Sequence, residues 1–133
     1  MPNLTIANVD TGSVVLDNAS YENDTFTAAG AGTTPAGTIL ARATSSAKLI
    51  PYVKGGSTDG DGIPVAVLSY DVEATAAGDV SIRPLVGGEV RKQRLIIAAD
   101  GDASNVDKVV EDLLRDYSII AISVDELTQY DNQ

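Results

Sequence analysis

The chain has 133 residues, 44% of them apolar, which suits one domain with a core of its own and argues against wholesale disorder. Its formal charge is −10, so it lacks the overall basic footprint that a nucleic-acid binder needs. It has no Cys and no His, which excludes disulfides, Ser-His or Cys-His nucleophiles and the commonest transition-metal ligand.

The apolar set is mostly Ala, Val, Ile and Leu, with a single Phe (Phe26) and no Trp, and the twelve glycines point to short strands and many turns. No apolar run approaches the roughly 18 residues of a membrane span, so no membrane partner is expected. The opening "MPNLTIANVD" shows neither a basic n-region nor an apolar h-region, so no secretory signal is expected, and synthesis in a cytosol-type compartment is the default.

Residues 1–35 read as an extended arm. In "NLTIANV" apolar and polar residues alternate at Leu4, Ile6 and Val9, with Thr5 between, as in a half-buried strand. "DTGS" is a turn signal, and "VVLDN" is a second short strand through Val14, Val15 and Leu16. "AAGAGTTPAG" (28–37) reads as a small-residue hinge. The alternative is that the arm folds back on its own domain. The first 41 residues carry acids (Asp10, Asp17, Glu22, Asp24) but no Lys or Arg.

Residues 36–133 read as the β-rich body. "GTILARA" and "KLIPYV", joined by "SSA", predict a hairpin over 37–53, with Ile39 and Ala41 on one face and Leu40 and Arg42 on the other. Pro51 marks a strand end or edge. "KGGSTDGDG" is a loop tip. "IPVAVLSYDV" (63–72) is the most apolar strand and is expected at the centre from Val65 onward. "EATAAGD" turns the chain into "VSIRPLV", and the Gly87-Gly88 pair predicts a two-residue turn into "EVRKQRLIIA".

One helix is expected over 104–117. Ser104 is placed to cap it, with Asp107 three residues on. Val106, Val109, Val110, Leu113, Leu114 and Tyr117 fall on one apolar stripe of 3.6-residue period. "SIIAISV" (118–124) then gives a strand–helix–strand unit, followed by a polar tail. The fold class is therefore α+β: a small β-rich domain of short strands, sheet or barrel-like, with one C-terminal amphipathic helix and an extended N-terminal arm.

Signatures of chemistry are few. There is no G-x-x-x-x-G-K-[ST] phosphate loop and no dinucleotide fingerprint after a strand. Carboxylates fall mostly in turns and on the polar face of the helix, so a glycosidase pair is not expected. "DGDASNVDKVVE" (100–111) sets Asp100, Asp102, Ser104 and Glu111 at calcium-loop spacing. However, Asn105 stands at the turn glycine, Asp107 where an apolar residue is usual, and a strand leads in. The preferred reading is a strand-to-helix loop, with no metal and no cofactor. Asp59 and Asp61 lie in the loop tip without a third ligand nearby. Arg91, Lys92 and Arg94 form the one basic cluster, read as a solvated strand or turn.

The stretch 37–90 resembles the lambda-like head decoration proteins of tailed bacteriophages. It is carried by "AGTILAR" (36–42), "AKLIPY" (47–52), a glycine-rich gap, "IPVAVLSYDVEATAAGDV" (63–80) and "LVGGEV" (85–90). The resemblance implies a small mixed fold without enzymatic activity and assembly as homotrimers. It also implies a place in the virion, on the outer surface of the icosahedral head at local three-fold positions, where such proteins cement and stabilise the capsid. It further implies an N-terminal arm that pairs with the major capsid protein; on this chain that arm is Leu4, Thr5, Ile6, Val9, Val14, Val15 and Leu16. The protein would then be made in the host cytoplasm. The rival reading is a free-standing calcium-dependent or carbohydrate-adhesive β-domain, favoured by the Asp loops, whereas the arm and the "GTILAR…KLIPY" pattern favour decoration.

Overall fold

A computed structural model of the chain describes residues 14–123. The strands are β1 (Val15–Tyr21), β2 (Asp24–Ala28), β3 (Gly32–Thr34), β4 (Ile39–Arg42), β5 (Leu49–Pro51), β6 (Pro64–Val67), β7 (Val72–Ala74), β8 (Gly78–Ile82), β9 (Leu85–Arg91) and β10 (Ile119–Ile122). A 3-10 turn (Lys92–Arg94) follows β9, and helix α1 spans Lys108–Arg115. Most strands form one half-barrel sheet in the order β1-β9-β6-β4-β5-β2-β8, with β10 added to β9; β3 and β7 pair separately.

The centre follows the sequence pattern. β4 and β5 form the expected antiparallel hairpin, with Leu40 opposite Pro51, the last residue of β5. β6 lies between β4 and β9, as its continuous apolar run requires of a strand buried on both faces. Alternation then sorts the side chains. Ile39, Ala41 and Val67 join Val90, Leu95, Ile97, Val110, Leu114 and Ile119 in a core beneath the helix. Leu40, Ala66 and Leu68 join Phe26, Leu49, Val72 and Ile82 in a second core on the other face.

β9, α1 and β10 make the strand–helix–strand unit, with β10 parallel to β9 from Ile119 opposite Gly88 to Ile122 opposite Arg91. The helix starts later than its periodicity predicts. Its N-cap is Asp107, not Ser104: the Asp107 carboxylate accepts the amides of Val109 (3.1 Å) and Val110 (3.2 Å). Ser104 instead closes a turn in which its own amide donates to Asp102 (2.9 Å). The inward face is Val106, Val110 and Leu114, while Val109 is 62% exposed and Tyr117 45%. Glu111, expected on the polar face, is buried, where Lys92 Nζ lies 2.8 Å from its Oε2 in an ion pair without hydrogen-bond alignment. Asp107→Ala should lower the melting temperature by a few degrees in a thermal melt, because two helix-terminal amides lose their acceptor, whereas Ser104→Ala should leave it unchanged.

Gly87 and Gly88 do not form a turn. Both lie inside β9, which runs unbroken from Leu85 to Arg91. At Gly88 (φ +123°) a Cβ would come 2.8 Å from both the Ala19 Cα and the Asn18 carbonyl oxygen. The glycine is there because the bulged strand β1, with Asn18 at φ 53°, crosses that close.

Candidate functional site

The segment expected as an arm divides at Val14. Leu4, Thr5, Ile6 and Val9 lie outside the described residues, as does the tail after Ser123. Val14 is buried in the helix-side core, Val15 pairs with Val90, and Leu16 is half-buried in β1. Residues 24–34 are likewise part of the body. β2 pairs with β8 from Asp24 opposite Ile82 to Ala28 opposite Gly78, and β3 pairs with β7. The stretch read as a hinge is tied down as well: the Ala36 amide donates to Asp71 (2.8 Å) and the Gly37 amide to the Leu68 carbonyl (2.7 Å). Alternation and small residues had suggested an arm, but the same pattern serves an edge strand backed by the chain's own sheet.

The topology gives the body two poles at the ends of β9. At the Arg91 pole, the Val14 carbonyl accepts the Arg91 amide (2.8 Å), and Gln93 Nε2 donates to Ser123 Oγ (3.0 Å). β1 and β10 flank β9, so the segments before Val14 and after Ser123 depart from the same pole, about 10 Å apart at ordinary strand spacing. At the opposite pole the β1–β2 and β8–β9 connections meet, with the Glu22 amide donating to the Pro84 carbonyl (3.3 Å). β9 sets the poles about 20 Å apart, at ~3.4 Å per residue.

The acidic loop spends its carboxylates on the protein. Asp100 accepts the Asn105 side-chain amide (2.9 Å), Asp102 the Ser104 amide, Asp107 the helix amides and Lys54 Nζ (2.7 Å), and Glu111 lies against Lys92. Among the described residues no three metal-capable side chains converge, and no helix is long and apolar enough to cross a membrane. The loop tip is likewise tied in, because Asp59 accepts the Ser45 amide (2.8 Å) and hydroxyl (2.7 Å). The basic cluster is split: Arg91 is buried, Lys92 is paired with Glu111, and Arg94 is exposed.

Two surface depressions stand out. One is largely apolar, its lining including Ile63, Val65, Val86 and Tyr117 together with Glu22 and Arg42. The other lies at the pole away from the chain's departure points and is lined by Asn23, Thr25, Tyr70, Ser81 and Arg83 among others. Between them Arg42 grips Asp24 through two nitrogens (2.7 and 3.3 Å). That guanidinium holds the Asp24 carboxyl below the ordinary carboxylate range, and the carboxylate raises Arg42 in turn. Asp59, Asp79, Asp102 and Asp107 are also lowered, chiefly by the side chains that bond them: Ser45, Lys48, Ser104 and Lys54. A depressed folded-state pKa contributes stability above the unfolded value, and that stability is lost as pH falls through the folded value. Melting temperature should therefore hold near neutrality and drop as pH falls below about 4, with Asp24→Asn showing a smaller drop.

This is a β-rich body with two open surface depressions, and several of its acids are engaged in caps and ion pairs. A family model, bacteriophage lambda head decoration protein D, matches residues 7–117, and the chain belongs to that family. Its members are structural capsid proteins rather than enzymes, which places this chain with the virion capsid. No curated protein matches the chain.

Proposed function

We propose that this protein is a cement protein: it binds the outer surface of the icosahedral head as a homotrimer at three-fold positions and stabilises the capsid without catalysing a reaction. Its N-terminal segment, through Leu4, Thr5, Ile6 and Val9, adds a strand to a sheet edge of the major capsid protein. The observation that carries this reading is the family match over residues 7–117, and the alternation of Leu4, Ile6 and Val9 suits the added strand. A strand added to a neighbour's edge has its amides and carbonyls satisfied by the ladder and needs only shallow pockets for alternate side chains. Val14, Val15 and Leu16 are excluded from that contact set because the body uses them. Self-association is supported by the apolar depression, where Ile63 is 49% exposed on a strongly acidic protein. The net charge of −10 also argues against nucleic acid as partner.

The test is reconstitution. Purified protein made in the host cytoplasm is mixed with undecorated, expanded heads of the parent phage and imaged by electron microscopy. The expected result is added density in three-lobed clusters at three-fold positions and heads that survive a higher temperature. Isolated single lobes would overturn the trimer, and bare heads would overturn the function.

A further inference from the structure

We infer that the depression around Tyr70 is a binding site for neutral oligosaccharides, carried on the outward pole of the decorated head. The orientation rests on the decoration reading; the site itself does not.

The depression is assembled from three separate parts of the chain. Tyr70 sits between β6 and β7, and its hydroxyl accepts the Arg83 amide (2.8 Å), which pins the ring while leaving the residue 44% exposed. The Arg83 guanidinium donates to the Asn23 side-chain oxygen (2.9 Å), so two planar polar groups are held together in the lining that Tyr70 shares. Thr25 and Ser81 are direct cross-strand partners on β2 and β8, and their hydroxyls make no hydrogen bond within the described residues. A fixed, half-exposed aromatic ring offers an apolar plate with a polar handle, suited to the C–H face of a pyranose. The amide, the guanidinium and the two hydroxyls supply donors and acceptors for the ring's equatorial hydroxyls.

Charge selects within that class. Asp24, at the margin, is neutralised by Arg42, which leaves the single charge of Arg83 on a chain of net charge −10. A polyanion such as nucleic acid or an acidic polysaccharide is repelled at long range; a neutral saccharide is not. Position gives the site a use. The chain departs toward the head from the Arg91 pole, and the Tyr70 depression lies at the other end of β9, about 20 Å away. A protein held by its N-terminal segment would present this face to the surroundings in many copies per particle, where individually weak contacts gain from multivalency.

The experiment uses chitotriose, maltotriose, cellotriose and sialyllactose as probes, titrated into the isolated protein and followed by NMR shifts of the Asn23, Thr25 and Ser81 backbone amides, which every variant keeps. At least one neutral trisaccharide should bind, with Tyr70→Ala and Arg83→Ala each losing tenfold or more and Tyr70→Phe, which keeps the plate, losing far less. Both alanine variants should still decorate heads, which separates loss of this site from loss of the cement function. Decorated heads should then be retained on a column bearing the bound sugar. No binding by any probe, or tighter binding of sialyllactose than of every neutral sugar, overturns the site. Binding by the isolated protein with no retention of decorated heads overturns its outward orientation.

Discussion

Gly37→Ala is expected to remove most of the protein's stability. Gly37 has φ +95°, a conformation that an alanine adopts only under strain, and a Cβ there would lie 1.9 Å from the Arg94 carbonyl oxygen. Neither side can yield easily. The Gly37 amide donates to Leu68 (2.7 Å), its carbonyl accepts from Ile96 (2.8 Å), and the Ile39 amide returns to the Ile96 carbonyl (2.9 Å). Residues 37–39 are thereby threaded between β6 and the segment after β9, with Thr38 fully buried. A strained backbone costs about 1–3 kcal/mol and overpacking about as much again. A loss of about 3–5 kcal/mol is a large share of the roughly 5–15 kcal/mol available to a domain of this kind. Urea denaturation should show the midpoint collapse. Gly30→Ala is the control: nothing lies within 4 Å of its added Cβ, and its midpoint should stay put. A Gly37→Ala midpoint equal to that of the control would mean that this crossing is looser than its hydrogen bonds imply.

The readable parts of the sequence were those whose structure is decided locally. The "GTILAR…KLIPY" hairpin has a turn, alternation and a terminal Pro, and it forms as written, with Ile39 and Ala41 in one core and Leu40 in the other. The strand–helix–strand unit follows from a change of period, from 2 to 3.6 and back. What could not be read depends on distant neighbours. Gly87-Gly88 has the chemistry of a turn, yet it serves a close crossing by β1, some seventy residues earlier in the chain. Ser104 and Asp107 are both competent caps. Asp107 takes the role while also holding Lys54, which a single-helix reading cannot see. Glu111 fell on the polar side of the periodic pattern, but Lys92 approaches it and makes its burial tolerable. At the candidate sites the division is the same. Alternation picked out the strand through Val15 and Leu16 but could not show that β1 finds its partner edge at home, on β9. Asn23, Tyr70 and Arg83 have no meaningful spacing along the chain and meet only because the β1–β2, β6–β7 and β8–β9 connections converge.

Deleting residues 2–11 should leave a folded protein that no longer decorates heads. The cut ends before Val14, so it spares Val14 in the core and every pair between β1 and β9. Melting temperature should therefore match that of the full chain. Capsid affinity should not survive, because the backbone groups that would complete the capsid's sheet edge are gone. A longer cut separates arm from body. Deleting residues 2–30 removes β1 and β2, and with them Phe26, which is 2% exposed, and the pairing partner of β8. That variant should fail to fold, since removing a buried Phe side chain alone costs about 3–5 kcal/mol. A proline at Ile6 gives the finest probe. It takes one amide out of the proposed ladder without shortening the chain, and it should weaken decoration if that amide points at the capsid strand, leaving the melt unchanged. Saturating decoration of heads by the 2–11 deletion, at the affinity of the full chain, would assign attachment to the body and refute the added strand.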